Sequence, residues 1–140
     1  MQKLNEAAER CNVLEECYEF MLAYAGQGVA GEEGGSRDGQ IRHFLSRAVN
    51  ALTGLADAYA AALPEQTTFI GVLDRDAKDS LAAIELVLAQ PAISSQLIDN
   101  LNASIHLRAL LTDLFLLDEI LKTQRNAQQA GTAARTEPRA

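Results

Sequence analysis

Gly26-Gln27-Gly28-Val29-Ala30-Gly31 spells G-x-G-x-x-G, the glycine spacing that lets a backbone approach a pyrophosphate at a helix N-terminus. That chemistry needs a strand before the glycines, a helix opening at their end, and an acid about 20 residues further on. Here a helical pattern precedes them, more glycine follows, and Asn50 and Ala51 stand in the distal region where the acid belongs. No Lys falls between Gly26 and Gln40 to reach a bound phosphate. The segment therefore reads as a flexible connection. A second stretch, Asp74-Arg75-Asp76-Ala77-Lys78-Asp79 through Glu85, sets acids at positions 1, 3 and 12 of a calcium loop. Lys78 would put a cation among the oxygen ligands, and Asp79 takes the place where the bend requires Gly. Leu81 and Ile84 meanwhile continue a helical face, so this is a charged solvent face. Cys11 and Cys17 point about 120° apart on one helix and cannot bridge. With no C-x-x-C, no His near either Cys and no G-x-S-x-G, zinc, thiol and serine-hydrolase sites lack their parts. Neither His sits in Glu-x-x-His, which removes a di-iron carboxylate site. We expect no catalytic residues, no metal and no cofactor.

His43 lies near the middle of a polar helical face, between Arg42 and Phe44, and should meet solvent. One exposed His on a helical bundle of this size is similar to the histidine phosphotransfer domains, which place Lys at i+3 and Gly at i+4. In that context the Lys steadies the phosphoryl group and the Gly admits the receiver domain. Here Ser46 and Arg47 stand at those positions, and the bulk of Arg47 would obstruct the partner. The likeness covers a single residue on a single helix. His106, beside Arg108 and Asp113, borders apolar surface and reads as a hydrogen-bonded interface residue.

The elements that position these residues are helices. From Ile41 to Leu63 the apolar side chains Ile41, Phe44, Leu45, Ala48, Val49, Leu52, Leu55, Ala56, Tyr59, Ala62 and Leu63 share an arc of roughly 140°. Before it, about Lys3 to Ala25, Leu4, Ala7, Cys11, Leu14, Tyr18, Met21 and Ala25 repeat at spacings of three and four. That helix carries a second strip, Val13, Cys17, Phe20 and Tyr24, and so calls for a second neighbour. Residues 26–39 between the two are rich in glycine, with Ser36 or Asp38 available as a helix cap. Pro64 ends the second helix or begins the next turn, and a third helix runs from about Thr68 to Gln90 until Pro91 stops it. The last region, about Ser94 to Arg125, places Leu97, Ile98, Leu101 and Ile105 on one face. Leu107, Leu110, Leu111, Leu114, Leu117 and Leu121 lie on another, so either the helix breaks near Asn100–Ser104 or one straight helix serves different neighbours. Phe115, Leu116 and Ile120 make its second half apolar almost all round.

The expected fold is all-α: an up-and-down bundle of four, or possible five, helices over residues 1–125, with a disordered polar tail at 126–140. No apolar run approaches the ~20 residues of a membrane span, and the N-terminus shows no export signal. With unbridged cysteines, a reduced, cytoplasmic protein follows. Residues 1–121 hold 8 basic and 18 acidic side chains, a field that repels nucleic acid. The leading expectation is a non-enzymatic, self-associating interaction or regulatory module, most simply a homodimer, with no nucleic-acid or membrane partner. Its candidate interface is Val13, Cys17, Phe20, Tyr24, Leu107, Leu111, Leu114, Phe115 and Leu121. Phosphotransfer through His43 and a ligand-binding bundle stand as alternatives.

Overall fold

A computed structural model describes residues 2–28, 30, 31 and 35–136, and among these every regular element is a helix. There are six: α1 (Gln2–Gly26), α2 (Ser36–Leu52), α3 (Leu55–Ala62), α4 (Thr67–Leu88), α5 (Ser95–Ala103) and α6 (Ile105–Thr136). The expected count of four or five is corrected by two breaks. Of the glycine-rich connection, Val29 and residues 32–34 lie outside the described residues, and Gly35 and Gly39 belong to the start of α2.

The first break divides the expected helix 41–63 at Thr53 and Gly54. Gly54 has φ +83°, a left-handed conformation that costs a side-chain-bearing residue about 1–2 kcal/mol. The carbonyls left open at the end of α2 are taken up by Arg10 of α1. Its Nη1 donates to the oxygens of Asn50 at 3.2 Å, Ala51 at 3.0 Å and Thr53 at 2.8 Å. The second break falls at Ser104, whose extended backbone ends α5 while its hydroxyl accepts from the N–H of Leu107 in α6. Ser94 caps α5 in the same way through the N–H of Leu97 at 3.1 Å. Of the two alternatives for residues 94–125, the broken helix is the one the chain adopts.

The cap expected from Ser36 or Asp38 is absent, since Gly35 opens α2 without a side-chain bond. Asp38 instead receives Nε of Arg42 at 2.9 Å. The same guanidinium donates to Leu88 O at 2.8 Å and Gln90 O at 2.6 Å, closing the C-terminus of α4. A third tie joins α1 to α5: the Tyr24 hydroxyl donates to Ile93 O, and the Ser95 hydroxyl donates to Tyr24 O at 2.6 Å.

Helix α1 packs against α2, α3, α5 and α6, which makes it the central element. Its second apolar strip is covered within the chain. Cys17 and Tyr24 are buried, Val13 and Phe20 pack on the core, and the Phe20 ring stacks on Phe44 of α2 at 4.1 Å. At the other end of the sequence, α6 continues through Thr136 into the stretch expected to be a tail. Alanine and glutamine there are good helix formers, and an existing helix extends at one hydrogen bond per residue.

Candidate functional site

Residues with the chemistry of a loop site sit in regular helix. Asp74, Asp76, Lys78, Asp79 and Glu85 all belong to α4, and Lys78 Nζ lies 2.8 Å from Asp74 Oδ2. A continuous helix cannot fold its side chains around a cation as a loop does. Gly26 closes α1, so a helix rather than a strand precedes the glycines. Among the described residues no group of three or more His, Cys, Asp or Glu could hold a metal ion.

His43 is exposed on α2, its ring meeting Phe44 edge-on at 5.9 Å. Arg47, one turn on, lies 3.5 Å from Glu16 of α1 and over the Phe44 ring, so its charge is drawn toward α1. His106 is exposed at the start of α6, and its carbonyl accepts from the buried Ser80 hydroxyl at 2.9 Å. Both cysteines are free and buried. Burial pushes each thiol up to about 12, and for Cys11 the neighbouring Glu15 carboxylate adds to the shift. Thiols held protonated at neutral pH are poor nucleophiles, so this pair fills the core.

Two polar features escaped the sequence reading. Asp113 of α6 is 5 % exposed, and burial together with the adjoining Asp76 of α4 pushes its carboxyl up to about 7. An acid inside a leucine-rich run was the available signal. The second is an open groove of about 610 Å³ between the α2–α3 turn and α4. Small residues (Gly54, Ala56, Ala60, Gly71) make its walls, while Asp57, Asp74 and Lys78 stand among its lining groups. Lys78 is engaged by Asp74 there.

The candidate interface residues separate into two groups. Cys17, Tyr24, Leu107, Leu111, Leu114 and Leu121 are core residues of the single chain, none more than 7 % exposed. Val13 and Phe20 are partly buried, and Phe115 is 58 % exposed. Around Phe115 the outer side of α6 supplies a feature the candidate set lacked. Leu116 is 54 % exposed, Ile120 41 % and Ile105 75 %. At about 100° per residue, Ile105, Ala109, Thr112, Leu116, Ile120, Thr123, Ala127 and Ala130 fall within an arc of about 80°. No charged residue enters that arc, and successive members are three or four positions apart, the rhythm of a helix-pairing seam. The inner side, Leu107, Leu110, Leu114, Leu117 and Leu121, is buried against the core. Helix α6 is thus apolar on two opposite sides, one of them without a cover among the described residues.

Among the described residues no helix is long and apolar enough to cross a membrane. Comparison of the chain with protein-family models, curated proteins and solved structures finds no match in any of the three.

Proposed function

We propose that this protein is a non-catalytic interaction module on an up-and-down helical scaffold, and that it self-associates as a dimer through the outer side of α6. The observation that carries this reading is the uncharged strip centred on Leu116. Large apolar side chains left in water at Ile105, Leu116 and Ile120 gain by burial, at roughly 25 cal/mol per Å². Charge supports the choice of helix. Residues 1–104 hold 7 basic and 15 acidic side chains, whereas residues 105–136 hold 4 and 3. Two strongly acidic bodies repel over most of their surfaces and approach most easily where that excess is absent. The strip is about 38 Å long and a helix about 10 Å wide, so the contact belongs to the weak, reversible class. We place the protein in the cytoplasm, where the free thiols of Cys11 and Cys17 would stay reduced.

Sedimentation equilibrium from about 5 to 100 µM tests the reading, a range suited to a micromolar dimer. The expected result is a rise from the 15.1 kDa monomer toward twice that mass. Leu116→Glu should hold the chain monomeric with unchanged helicity, while Leu22→Glu, on exposed surface of α1, should not. A wild-type monomer throughout the range overturns the proposal. The exposure of His43 favours the second reading, phosphotransfer. Acid-labile gain of one phosphoryl group from phosphoramidate, absent in His43→Ala, would select it.

A further inference from the structure

We infer that the second copy lies antiparallel across α6, with Arg108 of each chain opposite Glu119 of the other; this rests on the self-association reading above. Both side chains are exposed, and among the described residues neither takes part in an ion pair. Both also flank the strip on the same side, about 60–80° from the line through Leu116. When two helices pair antiparallel, like flanks face one another; when they pair parallel, each flank faces the opposite one. The opposite flank here carries His106, Asp113, Gln124 and Gln128. Asp113 is only 5 % exposed, buried within its own chain, and the other three are not acids, so none offers Arg108 an exposed negative partner. Only the antiparallel arrangement therefore brings the two opposite charges together, and two-fold symmetry repeats the pair.

The pairing also sets a register. Placing Arg108 beside the partner's Glu119 puts the two-fold axis close to residues 113 and 114. Leu116 then meets the partner's Thr112, and Ile105 meets the partner's Thr123. Large side chains are thereby set against smaller ones, which lets the helix axes approach. The two copies of Ile105 lie about 27 Å apart along the helices.

Two measurements on the full chain test the arrangement, after sedimentation has established that the wild type associates. Arg108→Glu alone places two acids together at each end of the contact, and Glu119→Arg alone places two bases there. Each single variant should associate about tenfold more weakly than the wild type, while an equimolar mixture of the two should recover wild-type affinity within about twofold. In the second measurement, Ile105→Cys and Thr123→Cys chains are oxidised with copper phenanthroline. The mixed 105–123 disulfide should form and the 105–105 disulfide should not, because the two copies of residue 105 would lie about 27 Å apart. Cys11 and Cys17 are buried and do not compete. A ready 105–105 cross-link, or a mixture no tighter than its components, overturns the antiparallel pairing while leaving self-association standing. A monomeric wild type overturns both.

Discussion

Asp113 shows how one side chain ties the stability of this fold to pH. It sits on α6 where α4 packs, with Asp76 beside it and no Lys or Arg paired to it among the described residues. Burial and the like charge hold its carboxyl near 7, against about 4 for an Asp in water. Between those values the folded chain keeps a proton that the unfolded chain has released. Unfolding therefore becomes easier as pH rises from about 4 to 7, and the contribution of this residue is lost above 7. Asp113→Asn, which supplies a neutral group of the same shape, should raise the melting temperature by about 3–5 °C at pH 8 and by much less at pH 5. Thermal unfolding of both chains at the two pH values checks this. An equal shift at both would mean that Asp113 is already ionised in the fold. Its lone position among leucines was visible beforehand, but the acid facing it from α4 was not, since the two lie far apart in sequence.

At the scale of elements, the α2–α3 junction depends on two residues from different parts of the chain. Gly54 supplies the left-handed turn, and Arg10 closes the carbonyls that the turn exposes. Gly54→Ala should cost about 1–2 kcal/mol through backbone strain alone, because a Cβ there would meet only the Arg10 guanidinium, at an ordinary 3.6 Å. Arg10→Met keeps the stem but removes the donors, and should cost about 2 kcal/mol. Urea titrations of the two variants and their double mutant would show less than additive losses if they serve one junction. This junction also explains why a single helix was expected over 41–63. Its two halves keep their apolar sides in phase because both pack on α1, so the periodicity runs unbroken across the turn. The break at Ser104 was legible as an alternative, because there the apolar face switches sides. Helix α4 was legible nearly to its ends, bounded by Pro64 before it and Pro91 after it. What the pattern of one helix cannot give is the number of its neighbours. The second strip of α1 pointed outward on paper, whereas in the fold α2 covers it through Phe44.

For the whole molecule, the central place of α1 implies that no part of the core can be lost alone. A helix that touches α2, α3, α5 and α6 shares its burial with all of them. The chain should therefore unfold in one transition, with far-ultraviolet dichroism and the near-ultraviolet signal of its tyrosines losing half their amplitude at the same temperature. Tyr24, beside Ile93, and Tyr59, beside Cys11, report from different parts of the core, and a spread of more than a few degrees between probes would show that it divides.

The ties around Tyr24 and Arg42 have a consequence for engineering. Tyr24 is held to the chain at Ile93 and Ser95, and Arg42, with Asp38, is held to the chain at Leu88 and Gln90. Both banks of the glycine-rich connection are thus moored to the same stretch between α4 and α5, whatever lies between them. Lengthening a loop whose ends are already fixed adds only about 0.6 kcal/mol for each doubling of its length. That connection is accordingly a natural port for an inserted reporter or epitope.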